Sequence, residues 1–261
     1  MELLKRLAFA LLTALVLTSC SKPGMNCFTN PGKTVMQIRQ LPEFKVLSMH
    51  DNVDVVLVKS QINQVEVYSG EHTISDIITE VDEKGHLHIR NNSYCRLLKQ
   101  RERINRVTLL YRSLDTIEYR SVGTLTTMDA AGESTWMNPD SLVLDIFEGA
   151  GDSIRLRIET PKARIQYRYG TTPVKILGTA NVAFFYHAGY GILDGWDLQS
   201  AFSYLETRSP NNLYVRADLE LEATINGEGN IYYHGQVSDA YVRQFLKGFG
   251  NGRAERRSSR P

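Results

Sequence analysis

The chain has 261 residues, of which 42% are hydrophobic and 23% charged, and its formal net charge is +1. This composition is that of an ordinary globular protein, and it excludes a coiled coil or a largely disordered chain. The near-neutral charge gives no overall field that would attract nucleic acid, so we expect no nucleic-acid partner.

The amino end, residues 1–20, has the pattern of a bacterial lipoprotein signal peptide. Lys5 and Arg6 precede an apolar run that is too short for a permanent transmembrane helix. The run ends in Leu-Thr-Ser-Cys at Cys20, which resembles the lipobox whose cysteine carries diacylglycerol. We therefore expect lipidation of Cys20 and a membrane partner through acyl chains such as palmitate. The alternative is an ordinary secretory signal with an incidental cysteine.

Lipidation predicts attachment to the outer membrane of a Gram-negative envelope, on its periplasmic or its cell-surface side. Lys22 and Pro23 follow Cys20 and give no acidic export signal that decides between the two sides. Because this compartment oxidises thiols, Cys27 and Cys95 could form a disulfide. The alternative is two unrelated buried thiols, and the spacing alone does not decide.

The next segments are predicted to be a tether and a first β region. Residues 21–34 contain Pro, Gly and Asn without periodicity, which is typical of a flexible tether. Short β-branched stretches bounded by turn residues predict an N-terminal β region over residues 35–112.

A weak internal repeat predicts a β-solenoid over residues 113–237. Each unit has an alternating strand, a kink of small or turn-forming residues, and a second strand. The second strands are headed by Leu125, Ile154, Val174, Ile192, Leu213 and Ile231. Their steps of about 29, 20, 18, 21 and 18 residues fit coils of about 20 residues. The predicted fold class is all-β, with the N-terminal strands continuing into a β-helix or solenoid, and an antiparallel sandwich is the alternative.

The repeat also predicts which side chains fill the interior. Alternation places inside the residues Ile117, Ile146, Ile165, Ile192, Leu205 and Leu213, and outside the residues Glu118, Arg155, Arg157, Lys175 and Glu206. Gly or Asn at the kinks is expected to take positive φ at the corners of the coil. The longer first step predicts an inserted loop at residues 128–139.

The carboxyl end is predicted to close the solenoid. Residues 238–249 are predicted to be a cap, with a short helix over residues 238–246 that covers the last coil. Residues 250–261 are rich in Gly, Ser and Arg and are predicted to be a disordered basic tail. Such a tail either solubilises the protein or contacts anionic lipid or glycan phosphates.

Several segments together resemble the GIN-domain family of autotransporter-type adhesin heads, found in envelope lipoproteins. The matching segments are residues 44–46, 53–58, 65–67, 85–89, 107–109, 123–125 and 225–235. They cover about residues 35–237, nearly the whole mature chain. The resemblance implies a β-helix-like fold and a role in adhesion. One departure is the pair Arg112 and Ser113, where the family tends to place Pro.

An enzyme is the alternative, because parallel β-helices also host polysaccharide lyases and glycosidases. Such enzymes need carboxylates that converge on one exposed face. The candidates are Asp145, Asp152, Asp194 and Asp197. Asp152 and Asp194 adjoin glycines, where aspartate is favoured as a turn former. We therefore predict that the protein is not an enzyme and assign no catalytic residue.

Two other patterns carry weak functional signals. His86 and His88 lie two apart on a predicted strand, hence on one face, but the spacing fixes no further metal ligand. We interpret them as surface residues and predict neither a metal nor a cofactor. The glycine-rich residues 149–151 and 227–229 precede strands rather than helices, so they are not phosphate loops.

Aromatic residues recur on successive units, and alternation must place some of them outside. The candidate binding face comprises Tyr169, Tyr190, Trp196, Tyr214 and Tyr233. Exposed Tyr beside Arg suits a glycan or an envelope protein as partner, whereas an internal aromatic stack is the alternative. The sequence thus predicts a non-catalytic adhesin or ligand-binding module. A structural protein that self-associates through exposed strand edges is a third hypothesis.

Overall fold

The computed structural model describes residues 31–93, 104–127, 135–247 and 250–260. The predicted signal peptide with Cys20, the two cysteines at 27 and 95, and most of the predicted inserted loop lie outside these ranges. Within them every regular element is a β-strand or a short 3₁₀ turn, so the predicted all-β class is confirmed. No helix in the same ranges is long and apolar enough to cross a bilayer.

The described strands belong to one sheet of 19 strands. Their bounds are β1 Thr34–Gln40, β2 Val46–Asp51, β3 Asp54–Lys59, β4 Gln64–Gly70, β5 Ile77–Val81, β6 His86–Asn91, β7 Arg106–Tyr111, β8 Thr116–Ser121, β9 Leu125–Thr126, β10 Leu142–Gly149, β11 Ile154–Tyr167, β12 Val174–His187, β13 Leu193–Gly195, β14 Leu198–Thr207, β15 Leu213–Arg216, β16 Glu220–Ile225, β17 Ile231–His234, β18 Val242–Leu246 and β19 Ala254–Arg256. The 3₁₀ turns are Ile74–Asp76 and Asp239–Tyr241.

Most strands are arranged in two parallel ladders. In the first ladder the neighbours are, in order, β6, β2, β8, β10, β11, β12, β14, β16 and β18. In the second ladder they are β7, β3, β9, β11, β12, β13, β15, β17 and β19. The long strands β11 and β12 give their first halves to the second ladder and their second halves to the first. Strands β5, β4 and β1 add antiparallel pairs at one end.

The register of the second ladder aligns the predicted strand heads. Leu125, Ile154, Val174, Leu213 and Ile231 lie in one buried row. Between Val174 and Leu213 the row is continued by Leu193, which pairs with both of them. The prediction of Ile192 as this strand head is therefore wrong by one residue. Alternation then turns Ile192 outward, where it is exposed. The other predicted interior residues are buried, and the predicted outer residues are not.

An interior row of the first ladder braces the corners that connect the two ladders. This row includes Tyr119, Tyr167 and His187. The Tyr119 hydroxyl donates to the carbonyl oxygen of Gly123 at 2.5 Å, and the Tyr167 hydroxyl to that of Thr172 at 2.8 Å. The His187 Nε2 atom lies 2.9 Å from the carbonyl oxygen of Gly191. Each of these side chains therefore holds the turn that follows its own strand.

The same rings explain the corner glycines. Gly170 has the expected positive φ, at 121°, but Gly149 and Gly189 do not. A Cβ atom at Gly149 would lie 2.8 Å from the Tyr119 ring, and one at Gly189 would lie 2.4 Å from the Tyr167 ring. The predicted reason for glycine is thus wrong at these two corners. Glycine is needed there because the ring of the preceding strand occupies the space of a side chain.

The carboxyl end differs from the sequence prediction. Residues 238–246 form a 3₁₀ turn followed by β18, so the predicted capping helix is wrong. Strand β16 would otherwise leave backbone donors and acceptors unpaired, and β18 satisfies them. Within the predicted disordered tail, Ala254–Arg256 forms strand β19, which pairs with β17.

Candidate functional site

A groove opens where strands of the first ladder end and their corners begin. Its volume is about 510 Å³, and its walls come from the ends of β2, β8, β10, β11 and β12. We call it the tyrosine groove and define it by Asp51, Arg120, Val122, Glu148, Tyr169 and Tyr190, which are among its lining residues. Because these strands are neighbours in the ladder, residues far apart in sequence meet in the groove.

Two exposed tyrosines dominate the groove. Tyr169 is 62% exposed and Tyr190 is 55% exposed. Their ring centroids lie 6.2 Å apart with an interplanar angle of 86°, an edge-to-face arrangement. Both residues lie in corners, Tyr169 beyond the end of β11 and Tyr190 beyond the end of β12. Large aromatic rings that contact each other in solvent are typical of a binding surface.

Charged groups flank the rings. The Arg120 guanidinium stacks 3.6 Å from the centroid of the Phe147 ring. The exposed Glu148 follows Phe147 on β10. His50 lies beside Arg120 in the register of β2 and β8. Burial lowers the pKa of His50 below its ordinary value of 6.5, so its imidazole is neutral at pH 7. The lining of the groove therefore combines a cation, Arg120, an anion, Glu148, and the two tyrosine rings.

The backbone of the groove contains an unusual conformation at Asp51. Among the described residues this is the only non-glycine residue with positive φ, at 61°. The carbonyl oxygen of Asp51 accepts hydrogen bonds from the Ser121 hydroxyl at 2.5 Å and from the Val122 amide at 2.7 Å. Strained residues that neighbouring groups hold in place are frequent at binding sites.

The five residues of the predicted binding face do not form one surface. Tyr169 and Tyr190 lie in the groove, while Trp196 and Tyr214 are half-buried on the outer face of the second ladder. Tyr233 is only 6% exposed, so its assignment to the binding face is wrong. In β17 Ile231 points inward, and alternation therefore turns Tyr232 outward and Tyr233 into the core.

The outer face of the second ladder carries its own aromatic pairs. The Trp196 ring stacks on His234 with centroids 4.1 Å apart, and the Tyr214 and Tyr232 centroids lie 5.7 Å apart. Arg260 covers the Tyr214 ring at 5.3 Å. This surface is therefore already occupied by side chains of the same chain.

The structure does not bring the four candidate catalytic carboxylates together. Asp145 lies on the outer face of the first ladder and forms a bidentate ion pair with Arg168. The Arg168 Nε and Nη2 atoms lie 2.6 and 2.9 Å from the two carboxylate oxygens. Asp194 lies on β13 of the second ladder and Asp197 in the turn that follows β13, 3.9 and 2.5 Å from the same Lys175 amine. Asp152 is exposed in a corner. None of the four lines the tyrosine groove.

His86 and His88 lie on one face, as alternation predicts. The His88 Nε2 atom is 3.2 Å from the Asp82 carboxylate, and the His86 Nδ1 atom is 4.0 Å from it. Hydrogen bonding from the His86 amide and the His88 ring lowers the pKa of Asp82 to about 2. Within the described part of the chain no group of three His, Cys, Asp or Glu side chains is placed to hold a metal ion.

A second groove, of about 760 Å³, lies at the bends within β11 and β12. It is lined by polar and small residues such as Glu159, Thr179, Asn181, Gln199 and Asp218. Its lining contains no aromatic ring, so it lacks the stacking platform of the tyrosine groove.

Sequence reasoning identified the two tyrosines of the groove but missed its other walls. Arg120 and Glu148 were not singled out, and Asp51 and Val122 meet through a pairing of strands 70 residues apart. The turn signal at Asp51 was visible in the sequence, but its position beside the later corners was not. The outward position of Tyr232 could have been found by counting from Ile231.

The sequence matches the model of the family described as "Putative auto-transporter adhesin, head GIN domain" over residues 43–236. No functionally curated protein matches this chain.

Three solved structures share the fold. The "putative adhesin" from Bacteroides fragilis has a TM-score of 0.71 at 17% identity and covers 85% of this chain and 97% of its own. A "putative lipid binding protein" from Parabacteroides distasonis has a TM-score of 0.63 at 15% identity, with 86% and 97% covered. A "putative adhesin" from the same species has a TM-score of 0.61 at 16% identity, with 87% and 98% covered. At these identities the likeness concerns the fold alone.

Proposed function

This chain belongs to the GIN-domain family of auto-transporter adhesin heads, and we propose that it is a non-catalytic envelope protein that binds a glycan in the tyrosine groove. The observation that carries the proposal is the exposed edge-to-face pair of Tyr169 and Tyr190. Tyrosine offers a ring face for the apolar side of a sugar and a hydroxyl for hydrogen bonding. A groove of about 510 Å³ has the size of a typical small-ligand site.

Polar groups of the groove support a glycan over a purely apolar ligand. Arg120, Glu148 and Asp51 lie along the walls and can donate to or accept from sugar hydroxyls. A protein partner is the second interpretation of the same surface. A glycan is favoured because the groove is concave and its two rings are close enough to contact one sugar unit.

We further propose that the two ladders are the sides of a β-solenoid with coils of about 20 residues. Parallel pairing of segments that follow one another at this interval supports it. The lipobox at Cys20 supports anchoring of this domain to the outer membrane, so that the groove faces a partner outside the bilayer.

The lipid anchor predicts where the protein fractionates. Replacing Cys20 with Ser is expected to move the protein from the membrane pellet to the soluble fraction, because the thioether to diacylglycerol cannot form. Cell fractionation followed by immunoblotting measures this, and Cys27→Ser is the control that should stay in the pellet. Equal pelleting of Cys20→Ser and the unchanged protein would contradict the anchor.

The enzyme alternative lacks its predicted site, because Asp145 pairs with Arg168 beside the first ladder, whereas Asp194 and Asp197 pair with Lys175 on the second. The proposal of a non-catalytic protein therefore expects an acidic polysaccharide to remain intact after long incubation with the protein. Release of shorter oligosaccharides, followed by chromatography, would favour the enzyme instead.

The groove is tested by glycan binding. Replacing Tyr169 or Tyr190 with Ala is expected to weaken the best glycan from an array at least tenfold, about 1.4 kcal/mol, because a stacking ring is lost. Tyr241→Ala is the matched control, since Tyr241 is 61% exposed and lies outside the groove. Calorimetric titration measures the affinities. The proposal fails if both groove variants bind like the control, or if the unchanged protein retains no glycan from the array.

A further inference from the structure

We propose that the outer face of the second ladder is a binding site for arginine side chains of an extended peptide, and that residues 257–260 of the same chain fill it as a displaceable strap. This site lies on a different surface from the tyrosine groove and does not depend on the function proposed for the groove.

The floor of the site is a row of outward side chains on neighbouring strands. Lys175, Asp194, Tyr214 and Tyr232 lie side by side in the registers of β12, β13, β15 and β17. The two tyrosine rings are 5.7 Å apart and inclined by only 30°. Together they form a continuous aromatic strip that ends at a carboxylate. Such a strip fits guanidinium groups, which stack on rings and pair with carboxylates.

The carboxylate at the end of the strip depends on the strap. The Asp194 side chain is only 4% exposed. The Trp196 amide donates to its Oδ1 atom at 3.0 Å, while its Oδ2 atom lies 3.0 Å from the Arg260 guanidinium. The Lys175 amine is farther from Asp194, at 3.9 Å, and closer to Asp197, at 2.5 Å. Because a buried carboxylate needs a close cation, Arg260 is the principal partner of Asp194.

The strap continues the last strand and then crosses the strip. The Arg257 amide still donates to the Tyr233 carbonyl oxygen at 2.8 Å, at the end of β19. The Arg257 guanidinium lies 5.0 Å from the Tyr232 centroid, and that of Arg260 lies 5.3 Å from the Tyr214 centroid. Each ring of the strip is therefore covered by one arginine of the strap, within the range of cation–π contact.

Apart from the ion pair of Arg260 with the buried Asp194, the strap is held by surface contacts. The side chains of residues 257–260 are exposed, and none belongs to the hydrophobic core. Cation–π contacts and ion pairs near the surface are individually weak. By contrast Arg256, which donates to the Val237 carbonyl oxygen and to Asp239, fixes β19 itself. The strap can therefore lift while β19 stays paired, and the strip then accepts an arginine-bearing peptide from outside.

The experiment uses a fluorescent synthetic peptide with the sequence of residues 250–261 and the full chain in two forms. The chain carrying both Arg257→Gln and Arg260→Gln should bind the peptide at least tenfold more tightly than the unchanged chain, whose own strap competes for the site. Adding Asp194→Asn or Tyr214→Ala to that double variant should weaken peptide binding at least tenfold. Adding Tyr241→Ala, an exposed tyrosine elsewhere, should change it less than twofold.

Fluorescence anisotropy gives the affinities, and circular dichroism verifies that each variant is folded. A peptide in which Arg257 and Arg260 are both replaced by Gln should not bind. The proposal is overturned if the double variant and the unchanged chain bind the peptide equally, or if the folded double variant does not bind it. It is also overturned if Asp194→Asn leaves the affinity unchanged. If an added substitution unfolds the chain, a competition experiment replaces that variant. The double variant with bound fluorescent peptide is titrated with arginine methyl ester, which is expected to displace the peptide.

Discussion

Replacing Tyr167 with Ala is expected to lower the free energy of unfolding by about 3–5 kcal/mol. Tyr167 is fully buried, stacks on the His187 ring with centroids 5.5 Å apart, and donates its hydroxyl hydrogen to the Thr172 carbonyl oxygen. The substitution removes the ring that fills the space left by Gly189 and Gly191. A cavity in the middle of the ladder and an unheld corner are the consequences.

The neighbouring exposed tyrosine provides a matched control. Tyr169→Ala should change the free energy of unfolding by less than about 0.5 kcal/mol, because Tyr169 is mostly exposed to solvent. Tyr167→Phe should cost about 1–2 kcal/mol, since it keeps the ring and removes only the hydrogen bond. Burial raises the pKa of Tyr167 to about 12, so this donor is protonated throughout the neutral range. Urea unfolding monitored by circular dichroism measures all three, and equal effects at positions 167 and 169 would refute the register described above.

Stability should fall in mild acid because of His187. Burial lowers the pKa of His187 to about 4, whereas the unfolded chain has a value of about 6.5. Between these values the unfolded state binds a proton that the folded state does not, so stability is complete above about pH 6.5 and is lost as the pH falls towards 4. At about 1.4 kcal/mol for each pKa unit, the loss amounts to about 3 kcal/mol.

The chemistry of the site explains the direction of this effect. The ring is buried, its Nε2 atom faces the Gly191 carbonyl oxygen, and its Nδ1 atom has no hydrogen-bond partner among the residues that the structure describes. A second proton on the ring would therefore create a buried cation, which costs free energy. Urea unfolding at pH 7.5 and at pH 4.5 measures the difference in stability. This difference is expected to be much smaller in the His187→Gln variant.

His72→Gln is the control for the pH experiment, because the His72 side chain is 60% exposed. It should retain the pH dependence of the unchanged protein, because this substitution leaves the buried His187 ring in place. A His187→Gln variant whose stability falls with acid as steeply as that of His72→Gln would show that other groups cause the effect.

The fold was predictable from the sequence to the extent that it depends on local pattern. The alternation and the spacing of turn residues predicted the strand heads at Leu125, Ile154, Val174, Leu213 and Ile231, because burial of every second residue imposes that pattern. The error at Ile192 arose at a corner, where the phase of alternation restarts. Only pairing with neighbouring strands fixes the new phase, and that is long-range information.

At the carboxyl end, too, the structure depends on strand pairing that local pattern does not reveal. Local pattern alone predicted a helix for residues 238–246, but pairing with the edge strand β16 makes Val242–Leu246 a strand. For the groove, the sequence could propose Tyr169 and Tyr190 as exposed rings. It could not bring Asp51 and Arg120 beside them, because those contacts depend on the order in which strands stack.

The corner glycines have a consequence for how this chain can change in evolution. At two corners the glycine leaves room for the ring of a neighbouring strand in the first ladder: Gly149 for Tyr119 and Gly189 for Tyr167. The two segments that carry a ring and its glycine, residues 119–149 and 167–189, can thus each be inherited as one unit. Duplication or deletion of such a segment in one genetic event would lengthen or shorten the protein while each of these rings that remains keeps its own glycine.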